Sequence, residues 1–213
     1  MRFLRIQKMK IDNFELIKPL FYFNEANNMF FFLQIVRRAK DHKGEEKKTK
    51  ERAIKTYIVT SREYLDSIKD EVILLCEQYG ARAYINVAGK DFDKVQKEML
   101  CVLAEYNVNN TIVNPQRLLN RIIGKLKSRC PRYLIDIDDI KSQEKSVYDW
   151  LAKYFYDKKY YYRLATIPTV QGEHIIVEPF DVDSFNKDFP NIDVHKNSMG
   201  TLLYYPESIK PIK

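Results

Sequence analysis

The chain has 213 residues, 45% of them hydrophobic, and a formal net charge of +7 with a pI near 9.1. That apolar fraction builds a real core and excludes a disordered chain, and the length suits one large domain or two small ones in tight contact. The basic excess suits a partner rich in phosphate, and three scattered cysteines (Cys76, Cys101, Cys130) without a CxxC pair exclude a zinc ribbon.

Met1 to Lys10 is basic and mixed, with no apolar core of a secretory signal. Asn28 to Arg37 reads as an aromatic strand, and its run Met29 to Val36 is too short to span a bilayer. No membrane association is expected. Reduced thiols point to the cytoplasm, and lysine and asparagine richness is compatible with a bacterial or phage-infected cell. Ala39 to Arg52 is a charged loop, read as a solvated hairpin tip, and His42 within it as solvated. Ala53 to Thr60 resumes a strand pattern, so the two strands form a long hairpin. Ser61 to Tyr79 reads as a helix, N-capped by Ser61 and closed by Gly80. Ala81 to Val87 is a short strand and "VAGKD" (Val87 to Asp91) a turn. Asp91 to Tyr106 is an amphipathic helix with Val95, Met99, Val102 and Leu103 on one side.

Asn107 to Asn114 is a polar bridge into a basic helix, Pro115 to Ser128. No acidic residue occurs between Tyr106 and Ile135. Arg117, Arg121 and Lys125 recur every fourth residue and share one helix face, and Lys127, Arg129 and Arg132 extend the run. Such a stripe suits a phosphate backbone, although a solvated amphipathic helix has the same pattern.

The second half alternates in a regular way. Tyr133 to Asp138 is a strand, Gln143 to Tyr156 a helix, and Tyr160 to Ile167 and His174 to Glu178 are strands. Asp183 to Phe189 is a helix and Thr201 to Tyr205 a last strand. The order is β-α-β-β-α-β, so the fold class expected is α+β, with a split RRM- or ferredoxin-like unit at residues 132–206 preceded by an α/β N-terminal half. The halves divide at 1–108 and 109–213 and read together as one compact domain.

In that topology the first and third strands are antiparallel neighbours, so the end of the first lies beside the start of the third. Alternation puts Tyr133, Ile135 and Ile137 on the helix-covered face and Leu134, Asp136 and Asp138 on the other. On the third strand His174, Ile176 and Glu178 face the same way as the aspartates. Carboxylates gathered so closely repel unless a cation or solvent intervenes, and paired carboxylates are how proteins hold Mg2+ or Mn2+ beside phosphate oxygens. The alternative is that Asp136 and Asp138, with Asp139 following, only cap a strand end.

"LIDID" and "TVQGEHIIV" together resemble the archaeo-eukaryotic primase superfamily, which includes phage and plasmid primase–polymerases. That family carries a hydrophobic-Asp-hydrophobic-Asp strand, a small-residue/x/His motif and a further acid on another strand. Asp136 and Asp138 match the first motif, and Gly172 and His174 the second. The resemblance covers Tyr133 to Tyr205. It implies that Asp136 and Asp138 bind catalytic Mg2+ or Mn2+ and that His174 contacts the phosphates of a nucleoside triphosphate. Glu178, Asp181 and Asp193 compete as third acid, and Glu178 is the one on the predicted face. Glu173 beside the histidine is a departure, because it brings negative charge toward the phosphates. Lys196, with His195, would reach phosphate from a loop before the last strand; the alternative is a solvated loop.

The expected function is a primase-like nucleotidyltransferase acting on nucleic acid. The alternatives are a non-catalytic nucleic-acid-binding module and a protein–protein adaptor. Tyr160, Tyr161 and Tyr162 offer base-stacking rings, though core packing explains them as well. No G-x-S-x-G elbow, P-loop or H-E-x-x-H motif occurs.

Overall fold

The computed structural model describes residues 10–23, 28–42, 51–128, 130–138, 140–156, 163–196 and 200–209. Two antiparallel sheets organise the chain, and the fold is α+β.

The first sheet comes largely from the N-terminal half. Its strands are β1 (Ile11–Asp12), β2 (Met29–Arg37), β3 (Arg52–Val59), β4 (Arg82–Asn86), β5 (Lys90–Asp91) and β10 (Gly200–Tyr205). The order is β1-β10-β4-β2-β3, with β5 pairing the start of β2. The long hairpin is present as β2 and β3, and "VAGKD" ends in the short strand β5 rather than staying a turn. α1 (Phe14–Ile17) precedes β2.

The helix expected over Ser61 to Tyr79 is two helices, α2 (Arg62–Ser67) and α3 (Lys69–Tyr79), broken at Ile68. The Ser61 hydroxyl accepts the Tyr64 amide at 3.0 Å, and Gly80 closes α3 with a φ of +54°, which a β-carbon disfavours. Leu65, Val72 and Cys76 of these helices are fully buried with Leu33, Ile35, Val59 and Ile85 of the sheet. On the other face lie α4 (Phe92–Val108) and α5 (Pro115–Lys125). Val95, Leu118, Ile122 and Ile123 pack there with Phe30. Asp91 and Asn114 cap these two helices by accepting the Lys94 and Arg117 amides.

The second sheet has the order β7-β8-β6-β9, all antiparallel. Its strands are β6 (Tyr133–Ile137), β7 (Arg163–Pro168), β8 (Glu173–Val177) and β9 (Asp193–His195), with α6 (Ile140–Phe155) and α7 (Val182–Asp188) between them. Alternation runs as expected. Ile135, Ile137, Ile175 and Val177 pack on Val147, Leu151 and Phe185 of the helices. Leu134, Ile167 and Ile176 point the other way, into the core that also holds Leu33, Ile85 and Leu203.

The last strand departs from expectation. Thr201–Tyr205 does not join the second sheet; β10 pairs with β4 and β1 of the first. The place beside β6 is taken by Asp193–His195, which reads as a loop because three residues are too few for alternation to show. The chain therefore leaves the second sheet after β9 and closes the first. Asn13 ties the two together: its buried side-chain amide donates to the Pro168 carbonyl at 2.9 Å and the Leu202 carbonyl at 2.8 Å. One core cluster contains residues of both sheets, so a division at residue 108 does not separate two cores.

Candidate active site in the cleft between the sheets

β6 carries Asp136 at its centre line and Asp138 just past its end. The register sets Asp136 directly opposite His174 on β8 and opposite Asp193 on β9. Directly paired residues of antiparallel strands share a sheet face, with β-carbons about 5 Å apart. Asp193, Asp136 and His174 thus form a row across three strands, and Asp138 follows on the same face by alternation.

The His174 ring is held from both sides. Its Nδ1 lies 2.9 Å from the Thr201 hydroxyl on β10, and its Nε2 lies 3.4 Å from Asp136 Oδ1. With the proton on Nε2, the Thr201 hydroxyl donates to Nδ1 and the N–H faces the carboxylate. Asp136 Oδ1 is buried and makes no hydrogen bond among the described residues. Burial pushes the Asp136 carboxyl up, but His174 beside it, with His195 and Lys40 further out, overcomes this and holds it below the usual carboxylate range.

Gly172 shows why the motif needs a small residue. A β-carbon there would lie 1.7 Å from the Ile137 carbonyl oxygen and 3.0 Å from the Asp138 α-carbon. The turn before β8 is packed onto the end of β6, and this contact brings His174 level with Asp136. Glu173 leaves the site: it is turned to the helix-covered face and accepts a hydrogen bond from the Tyr148 hydroxyl of α6. The negative charge expected next to the phosphates is therefore on the far side of the sheet.

Asp136, Asp138 and His174 line a cleft of about 160 Å³ whose opposite wall is the first sheet; Asp193 does not line it. Arg38, Lys40 and Arg82 line that wall. Arg82 is fixed by Asp41, which accepts from its Nε at 2.7 Å and also from Nη2, and it stacks over the Tyr205 ring at 4.9 Å. Arg38 Nη1 donates to the Tyr84 hydroxyl at 3.1 Å. Cations facing carboxylates across a narrow cleft are absent from the sequence reading, which treats Ala39 to Arg52 as a solvated tip. Residues Ala39–His42 instead form a 3-10 turn docked on the body. Asp41 is buried on Arg82, and His42 is half-buried with Nε2 2.8 Å from the Gly80 carbonyl oxygen rather than solvated. Only the pairing of β2 with β4 brings Arg38 and Arg82 together.

Two expected site residues are elsewhere. Glu178 follows Val177, which pairs with Tyr133 at the opposite end of β6; it lines a separate pocket with Arg132 and Cys130. The acid that joins Asp136 is Asp193, whose place is set by the three-residue strand β9. Lys196 is exposed and follows His195, which pairs with Leu134, so β9 carries it away from Asp138. Arg117, Arg121 and Lys125 are exposed on α5, and Lys127 is exposed beyond its end. None of these four has a carboxylate partner among the described residues. Arg129, Asp139 and Tyr160 to Tyr162 lie outside the described residues.

Two carboxylates on one wall of a cleft are a donor set of the kind Mg2+ takes, an ion that dehydrates reluctantly and rarely takes an all-protein cage. Asp136 and Asp138, both lining the cleft, are the carboxylates that would hold such an ion. Among the described residues, no group of three or more His, Cys, Asp or Glu side chains is gathered into a ready-made metal cage. Among them also, no helix is long and apolar enough to cross a membrane. No family model matches the chain, and no curated protein or solved structure matches it.

Proposed function

We propose that the chain is a primase-like nucleotidyltransferase that binds nucleoside triphosphate and nucleic acid with Mg2+ or Mn2+. The observation that carries this reading is the register of Asp136 with His174 and Asp193, with cations on the facing wall. The residues from β6 to β9 are read as a split β-α-β-β-α-β unit of the ferredoxin-like kind, whose strand order is that of β7-β8-β6-β9.

On this reading Asp136 and Asp138, which both line the cleft, would hold the divalent ion. When bound, the ion supplies charge neutralisation at the phosphates. His174, held between Thr201 and Asp136, lines the phosphate end of the cleft. Arg38 and Lys40 meet the remaining phosphate charge. Arg82, held by Asp41, keeps the wall in place. A cleft of about 160 Å³ is smaller than the ~300–1,000 Å³ that encloses a drug-sized ligand, so it takes the phosphate end and leaves the base outside. α5 offers a phosphate-backbone surface without sequence reading.

Calorimetric titration of Mn2+ and nucleoside triphosphate into the wild type and an Asp136→Ala/Asp138→Ala double variant tests the reading. Metal-dependent nucleotide binding that is lost in the variant is expected. Equal binding in both proteins, or none in the wild type, would leave the aspartates as strand-end residues and favour a non-catalytic nucleic-acid-binding module.

A further inference from the structure

A second cavity, of about 230 Å³, adjoins the acidic cleft. Tyr84 and Gly200 line both. Gly200 lies close on β4: a β-carbon there would lie 2.9 Å from Tyr84 Cβ and 3.2 Å from the Ile85 amide nitrogen. The cavity runs from the first sheet, where it is lined by Phe32, Gln34 and Tyr84, to α5, where it is lined by Asn120 and Gly124.

Its chemistry differs from that of the cleft. Its lining holds two aromatic rings and three side-chain amides, with Ile123 and one lysine beside them. Asn86 and Lys90 line it too, nine-tenths or more buried and turned to backbone. Asn86 accepts the Phe32 amide and donates to the Ala88 carbonyl, while the Lys90 ammonium donates to the Leu126 carbonyl at 2.6 Å. The Gln34 amide makes no hydrogen bond among the described residues, and Asn120 uses only its oxygen, which accepts from Gln116 at 3.1 Å. Rings for stacking and amide groups for a hydrogen-bonding edge are what a planar, neutral, polar-edged group needs.

Two features of α5 point to a strand. Asn120 and Gly124 sit one turn apart and form the row beside Arg117, Arg121 and Lys125, three residues away on the helix surface. A backbone on the basic row would put its bases over the neighbouring row, at the cavity mouth. Gly124 is also unexplained by packing: a β-carbon there would meet nothing within 4 Å, and its φ is not in the left-handed region. Glycine inside a helix costs about 1 kcal/mol relative to alanine, and here it leaves the mouth open.

We propose that this cavity receives a nucleobase, from either the incoming nucleotide or a bound single strand. The proposal rests on the nucleotide reading of the neighbouring cleft and adds to it a site for the base.

The probes are 2-aminopurine riboside triphosphate with Mn2+, and a single-stranded oligonucleotide carrying one 2-aminopurine, without metal. Stacking in the cavity quenches the emission of either. Gly124→Phe places a ring at the mouth from a position where a β-carbon meets nothing within 4 Å, and Asn120→Leu removes one amide of the hydrogen-bonding edge. A thermal melt accompanies each. Quenching by the wild type, with affinity reduced tenfold or more in both variants at unchanged melting temperature, is expected. The Asp136→Ala/Asp138→Ala protein separates the sources: quenching lost with the triphosphate identifies the incoming base, and quenching kept with the oligonucleotide identifies the strand. Unchanged quenching and affinity in a folded Gly124→Phe protein would overturn the cavity assignment. So would the absence of quenching by the wild type with both probes. If Mn2+-dependent triphosphate binding persists calorimetrically in either case, the cleft stands and the cavity alone fails.

Discussion

Gly172 carries more of the site than its size suggests. It has no side chain, yet it sets the height of His174 against Asp136, because any β-carbon would strike the Ile137 carbonyl at 1.7 Å. The obstacle is backbone at the C-terminal end of an interior strand, so relief requires the turn to lift off β6. Gly172→Ala is expected to cost about 1–3 kcal/mol of stability, as overpacking does, and to abolish metal-dependent nucleotide binding. Urea unfolding and the same calorimetric titration measure both. A variant with wild-type stability and binding would show that the turn is free to move. The histidine and aspartates were visible as residue types in the sequence, and so was the small residue. Its collision partner was not, since Ile137 is 35 positions away.

At the scale of elements, α5 and β9 behave in opposite ways. α5 is a local object: apolar and basic residues repeat with the helical period, Asn114 caps it, and exposure of Arg117, Arg121 and Lys125 follows from the buried Leu118 and Ile122. Replacing these three cations with glutamine is expected to flatten the salt dependence of single-strand binding. Three phosphates at about 0.7 each give a change of about 2 in the slope of log K against log salt. Stability should stay within about 0.5 kcal/mol, because surface changes rarely do more. An unchanged slope would make the stripe a solvated face. β9 is the contrary case. Three residues show no period, and Asp193 acquires its place opposite Asp136 only because β9 pairs with β6.

The two sheets share one core, and this makes stability a property of the whole chain. Cys76 on α3 is fully buried in the cluster that also includes Leu134, Ile176 and Leu203. Burial, and then Glu77, pushes its thiol up to about 12. In the unfolded chain a thiol ionises near 8.5, whereas the folded protein keeps its proton far above that. The folded state then holds more protons, so its stability falls as pH rises through this window. The loss owed to Cys76 is about 2 kcal/mol between pH 8.5 and 10, at about 1.4 kcal/mol per unit. Chemical denaturation across that range should show the decline in the wild type and a shallower one in Cys76→Ala. Identical slopes would show that the thiol is not sealed in the native core. Loss of signal from both sheets in one transition is also expected, since the cluster that holds Leu33, Ile85, Leu134 and Ile176 spans them.

By itself the sequence determined what depends on neighbours along the chain. The β2–β3 hairpin, the caps at Ser61 and Gly80, the alternation that sends Asp136 and Ile135 to opposite faces, and the pairing of β6 with β8 all follow from period, capping chemistry and connectivity. The tertiary structure alone decided what depends on distant pairing. It moved the strand at Gly200–Tyr205 into the first sheet, put Asp193 rather than Glu178 beside Asp136, and set Arg38, Lys40 and Arg82 across the cleft. Periodicity tells which way a side chain points but not which strand will lie beside it. Strand partners are chosen by the burial of the whole core, through contacts such as those of Asn13 with Pro168 and Leu202, which lie more than 150 residues apart in sequence.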